Sequence, residues 1–262
     1  MMHLKGIFLT CFLSFFFLLT FSQVTPENYA VCDWSFGFFN SKPTDIDQIR
    51  GSVATFSAEN SKKGLTCISF RGTTGIKYET LLLNHRIGLG AGIRFSQYVQ
   101  NTGKWKLLSE GVNYFYYLYA QDEHYTYYTR IKSILQTSSY LGVPAEFSFF
   151  PLENPHFIRL YMKMGAEMDF RLNSTTKIHF VNKGLPSLES QVASQISSPS
   201  FIGFSFYNCV GLRAGVDGKP TFSVELLIPV LNTHPGSPGL LENRFGAGLQ
   251  FNYHIPIHSG NQ

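Results

Sequence analysis

Residues 157–172, FIRLYMKMGAEMDFRL, decide how the rest of the chain is read. The even positions are Ile158, Leu160, Met162, Met164, Ala166, Met168, Phe170 and Leu172, and the odd positions include Arg159, Lys163, Glu167, Asp169 and Arg171. One face is wholly apolar while the other carries five formal charges. A β-strand, whose side chains alternate between two faces, produces that period of two; a helix does not. The run is also far longer than the ~5 to 6 residues common in soluble sheets.

The pattern recurs on both sides of this strand. Residues 86–95, RIGLGAGIRF, set Ile87, Leu89, Ala91, Ile93 and Phe95 against three glycines and Arg94, and residues 244–253, RFGAGLQFNY, set Phe245, Ala247, Leu249, Phe251 and Tyr253 against Arg244, two glycines, Gln250 and Asn252. Fainter copies cover 67–79, 140–149, 201–213 and 221–230, and the faintest covers 30–39. Eight strands are thus expected. Short, turn-rich links at 80–85, 150–156 and 214–219 alternate with long ones at 40–66, 97–132, 173–200 and 231–243. The expected class is all-β: an eight-stranded antiparallel up-and-down transmembrane β-barrel with short periplasmic turns and long external loops.

Composition agrees with a folded chain. Of 262 residues, 44% are hydrophobic, 16% aromatic and 15% charged, too apolar for a disordered protein. Lys and Arg total 21 against 17 Asp and Glu, without the clustered basic face that nucleic acid requires, so no nucleic-acid partner is expected. The opening MMHLKGIFLTCFLSFFFLLTFSQ has one charge, Lys5, before an apolar run and small residues at Thr20 and Ser22. It reads as an export signal cleaved near Ser22, giving a signal peptide (1–22), a barrel domain (23–254) and a short C-terminal extension (255–262). Cys32, Cys67 and Cys209 remain, an odd number without metal-knuckle spacing, and free thiols are expected.

Alternation is silent on which face points inward. A lipocalin-like soluble barrel with the apolar set inside is the alternative. Strand length, aromatic content, the export signal and the glycines crowded on the polar face favour the inside-out arrangement. The lumen would then hold Arg71, Lys77, Arg86, Arg94, Arg159, Lys163, Arg171, Arg213 and Arg244 facing Glu79, Glu146, Glu167, Asp169 and Glu225. Charges withdrawn from water must pair, and an eight-stranded ring is only wide enough for its own side chains, so a closed plug of salt bridges is expected.

Residues 157–172, the preceding SSYLGVPAEFSFF with Pro144, the hairpin TGIKYETLLLNHRIGLGAGIRFSQY and the glycine-spaced last strand resemble the outer-membrane β-barrel family of Bacteroidota that includes the PorT-type proteins. In architecture they are similar to OmpX and the membrane domain of OmpA. The resemblance implies an outer-membrane location, lipid as surroundings, other outer-membrane or periplasmic proteins as partners, and no catalytic signature. Such barrels commonly end on an aromatic residue, whereas here Tyr253 is followed by HIPIHSGNQ.

GLGAGIR lacks the last glycine of a dinucleotide fingerprint and lies on a strand. His254 and His258 are four apart, but Pro256 forbids the helix that would align them, so no metal site and no cofactor are expected. Asn173-Ser174-Thr175 reads as a loop turn. The second long link, with Tyr114, Tyr116, Tyr117, Tyr119, Tyr125, Tyr127 and Tyr128 around QDEH, reads as a hairpin projecting past the membrane, and its rings are a candidate binding surface for a sugar or a protein. Two function classes follow: a non-catalytic structural, adhesive or accessory barrel, and a membrane-embedded lipid-modifying hydrolase or acyltransferase.

Overall fold

A computed structural model describes residues 27–44, 48–50, 66–103, 114–151, 157–182, 186–216 and 218–257. The expected leader (1–22) and His258 lie outside the described residues. The elements are β1 (Glu27–Pro43), β2 (Ile49–Arg50), β3 (Thr66–Leu82), β4 (Ile87–Gly103), β5 (Phe115–Gln121), β6 (Thr126–Phe149), β7 (Ile158–Phe180), α1 (Pro186–Gln195), β8 (Ile202–Ala214), β9 (Thr221–Thr233) and β10 (Leu241–Ile257).

Eight of these strands close on themselves. The order runs β6-β4-β3-β1-β10-β9-β8-β7, and β7 pairs again with β6, from Ile131 opposite Phe180 to Phe149 opposite Met162. Every pairing is antiparallel and, leaving aside the short β2 and β5, joins strands consecutive in sequence, except that β1 pairs with β10 and so brings the first strand to the last. Each of the eight alternating stretches overlaps one ring strand. Glu27 and Ile257 lie at the same end as the short links, since Asn28 is opposite Ile257 and Glu27 opposite Leu81.

The strands outrun their sequence signal at the other end. β6 has 24 residues and β7 has 23, so much of what reads as long loop is sheet. Asn173-Ser174-Thr175 is part of β7, opposite Ser139 to Thr137, and is not a turn. β10 likewise continues to Ile257, beyond the boundary at 254. In β7 the outer face turns polar: past Leu172 its exposed residues are Asn173, Thr175, Lys177 and His179. A strand polar on both faces has no alternation to read.

The faces are inverted relative to a soluble barrel. On β7, Met162 and Met164 are 55% and 59% exposed, while Lys163 and Glu167 are 3% and 2% exposed. Trp34, Phe38, Ile76, Ile93, Leu212 and Phe245 face out from five other strands, and Arg71, Arg94, Glu146 and Glu225 face in. The lipocalin-like alternative needs the opposite arrangement. Pro144 sits on this ring at a tolerated place: β6 pairs with β7 opposite Glu167, but its ladder with β4 lapses between Ala145 and Gly142, where proline has no N–H to give.

Past the polar transition, β2, β5, β6, β7, α1 and the link into β10 form a second small core that includes Ile49, Phe115, Ile131, Ile134, Ile178, Val192, Ile196 and Leu240. It covers the ring's mouth. The backbone of the covering link is held by inward glutamines: Gln100 donates to the Leu241 carbonyl at 2.9 Å, and Gln136 accepts from the Leu240 N–H at 2.7 Å.

Candidate functional site

The lumen side chains form one connected set to which all eight ring strands contribute. Arg71 on β3 reaches Glu167 at 2.6 Å and Asp169 at 3.2 Å on β7, and its guanidinium also donates to Ser96 and to Ser205 of β8. Arg94 on β4 bridges Glu167 at 2.7 Å, Asp33 of β1 at 2.7 Å and Glu146 of β6 at 3.2 Å. Lys77 joins Asp33 at 3.0 Å to Glu146 at 2.7 Å, and Lys163 joins Glu146 at 3.1 Å to Glu225 of β9 at 2.5 Å. Tyr207 donates to Glu146 at 2.7 Å, and Asn252 of β10 donates to Glu225 at 2.7 Å.

Sequence-derived residues divide accordingly. Arg71, Lys77, Arg94, Glu146, Lys163, Glu167, Asp169 and Glu225 meet in this set, and Arg213 pairs with Glu79 at 2.9 Å nearer the short-turn end. Arg159 is buried with its guanidinium 5.4 Å from the centre of the Phe150 ring. Arg171 is not brought into the network: half-buried near the mouth, it donates to the Pro199 carbonyl. Arg86 is an exposed turn residue, outside the lumen, because β4 begins only at Ile87. Arg244 is on β10, with its side chain outside the described residues.

Asp33 and His254 were missed. Asp33 is fully buried between Lys77 and Arg94, yet it lies in the faintest strand signal, where Phe39 follows Phe38. His254, also buried, figures in the sequence only beside His258, as a pair that Pro256 keeps from aligning on a helix. The lone carboxylate in an aromatic strand was the available clue for Asp33.

The arithmetic of burial decides what the lumen can do. Among the described residues, six cations (Arg71, Lys77, Arg94, Arg159, Lys163, Arg213) and six carboxylates (Asp33, Glu79, Glu146, Glu167, Asp169, Glu225) are buried, a balanced set rather than a one-sign ring of the kind that selects ions. A cavity of about 20 Å³ beside Arg71, Arg94 and Tyr207 has room for one water. Gly142 shows how tightly the set is packed, since a Cβ there would run into the Glu167 carboxylate and come within 2.8 Å of Asp169. Buried aromatic residues flank it on both sides, Tyr98, Tyr140 and Phe39 toward the long links and Tyr29, Tyr161 and Phe150 toward the short ones.

Near the short-turn end, Glu79 lies 2.9 Å from His254 Nδ1, and Ser223 Oγ lies 3.1 Å from His254 Nε2. That is the connectivity of a carboxylate–imidazole–hydroxyl relay. Ser223 is nevertheless completely buried, and Asn252 donates to its oxygen at 3.0 Å from another side. No group of three or more potential metal ligands occurs among the described residues.

The tyrosines of the β5–β6 hairpin divide between two environments. Tyr117 is buried in the second core and donates to Gln48, so it is no part of a surface. Tyr125 and Tyr127 are exposed at the tip, where Asp122 accepts backbone N–H bonds from His124 at 2.9 Å and Tyr125 at 2.6 Å. Tyr114, Tyr116, Tyr119 and Tyr128 are half-buried, and Tyr114 meets Tyr116 edge-on at 5.6 Å. Tyr116, Tyr119 and Tyr128 line a cleft of about 290 Å³ together with Arg130 and Asn182.

No protein-family model and no curated protein matches the sequence. Among solved structures, the chain is similar to the attachment invasion locus protein Ail of Yersinia pestis, solved in complex with the heparin analogue sucrose octasulfate, with a TM-score of 0.34 and 10% identity over 89% of this chain and 100% of that one. It is also similar to the outer membrane protein OprG of Pseudomonas aeruginosa, with a TM-score of 0.38 and 11% identity over 89% and 97% of the two chains. The closed ring stands on its own strand pairings.

Proposed function

We propose that this chain is a non-catalytic outer-membrane β-barrel protein with a closed lumen, serving a structural, adhesive or accessory role at the cell surface. The observation that carries the reading is the belt of exposed apolar side chains around a charged interior. Soluble monomers rarely expose apolar patches beyond a few hundred Å². Here residues 158–172 of β7 alone run about 46 Å along the strand, which at a tilt near 45° spans about 33 Å, close to a bilayer core of ~30 Å. No helix among the described residues is long and apolar enough to cross a membrane; in this reading the strands do so. The short turns and both ends of the ring are periplasmic, and the hairpin and α1 are external. Resemblance to the PorT-type barrels of Bacteroidota supports an accessory role, including one in a secretion assembly.

Expression with the leader intact is expected to place the protein in the outer-membrane fraction, released only by detergent and with heat-dependent mobility on electrophoresis. Release by osmotic shock without detergent would defeat the proposal. A second reading, a hydrolase, is favoured by the Glu79–His254–Ser223 alignment. Labelling of the detergent-solubilised chain by a fluorophosphonate, abolished by Ser223→Ala, would establish it; the burial of Ser223 leads us to expect no labelling.

A further inference from the structure

We propose that the cleft between the β5–β6 hairpin and α1 binds an acidic saccharide unit. It lies where β7 leaves the sheet: the last contact is the Val181 N–H donating to the Arg130 carbonyl at 3.1 Å, and beyond it this edge of β6 has no neighbouring strand among the described residues. The walls are Tyr116 and Tyr119 of β5, Tyr128 and Arg130 of β6, and Phe180 and Asn182 at the exit of β7. The arrangement is braced from behind, since Gln195 at the end of α1 donates to the Tyr119 carbonyl at 2.7 Å and Tyr119 packs against Tyr127 with ring centres 6.2 Å apart.

Three features of the lining converge on one ligand class. About 290 Å³ is at the small end of ligand pockets and suits a sugar ring rather than an extended chain. Phenol rings offer flat apolar faces for the C–H side of a pyranose, while their hydroxyls and the Asn182 amide both give and accept hydrogen bonds, as sugar hydroxyls demand. Arg130 is the only charged residue lining the cleft among the described residues. Its guanidinium lies 5.5 Å from the centre of the Tyr114 ring, with no carboxylate of the described residues in ion-pair reach. Glu189, the carboxylate of α1, faces the backbone N–H of Ile178 instead. A planar cation held on an aromatic ring, with no counter-ion among the described residues, fits a sugar carboxylate.

The inference rests on the outer-membrane reading only for its placement of the cleft outside the cell. The full chain in detergent, its fold checked by heat-dependent mobility, is titrated calorimetrically with cellobiouronate and with cellobiose, which differ in one carboxylate. Saturable binding is expected, tighter for cellobiouronate by about tenfold, the value of one charge-assisted contact. Arg130→Gln should erase that difference, Tyr128→Ala should weaken both sugars, and Tyr125→Phe at the tip should change neither. Absence of saturable binding, equal affinity for the two sugars, or displacement by sodium acetate at equal ionic strength would overturn the proposal. Binding in detergent without binding of a fluorescent conjugate to intact cells would overturn the outward placement and leave the cleft's chemistry standing.

Discussion

The carboxylate of Glu167 lies 2.6 Å from the guanidinium of Arg71, 96 residues away in the chain and three strands away around the ring. Its other oxygen meets Arg94 at 2.7 Å. Glu167→Ala therefore takes the shortest partner from Arg71, leaves it Asp169 alone, and puts the buried set one carboxylate short; it is expected to destabilise by roughly 3 to 5 kcal/mol, the usual cost of breaking a buried pair. Urea unfolding in lipid vesicles measures it. A near-neutral result would mean that water reaches these charges and that the lumen is not closed.

Met164 is the outward counterpart, three residues away and 59% exposed. In lipid, Met164→Arg should cost roughly 2 to 4 kcal/mol, as a basic residue near the midplane of a barrel does. If water bathes this face, the same substitution would be harmless and would raise solubility without detergent.

Ser187, exposed in the first turn of α1, reports the orientation. In a background with serine at the native cysteines, Ser187→Cys is expected to react with an impermeant maleimide on intact cells. Reaction only after lysis would invert the topology.

Cys32 is opposite Ile76, and Cys67 lies nine residues from Ile76 along β3, about 30 Å at 3.3 Å per residue and far beyond the ~7 Å that a disulfide spans. Cys32, Cys67 and Cys209 are free thiols in the structure. Alkylation of the unreduced, unfolded mature chain should therefore add three groups; a Cys32–Cys67 bridge would refute the register.

Asp122 at the hairpin tip has its carboxyl held below the usual range by the backbone N–H groups of His124 and Tyr125. A lowered folded-state pKa places the stabilisation above the unfolded value and removes it as pH falls through the folded one. Hydrogen exchange at the His124 and Tyr125 amides should accelerate selectively below the carboxylate range, and Asp122→Ala should show the fast exchange already at neutral pH.

Period-two alternation belongs to each strand separately, which is why the eight ring strands and the composition of their two faces were legible in 157–172 and its fainter copies. The same locality limited the reading. Alternation is symmetric under exchange of faces, and only closure of β7 onto β6 put Lys163 and Glu167 inside and Met164 outside. Where the outer face is polar too, as in β7 beyond Leu172, the signal vanishes and strand reads as loop. Partnerships among the charges were likewise beyond the sequence: Glu146 touches Lys77, Arg94 and Lys163 from three different strands, a meeting set by the register and stagger of the closed ring. Sequence determined which side chains had to leave water or lipid together, because each strand has only two faces; the tertiary structure decided which of them met, because register and closure are properties of pairs of strands and not of any one.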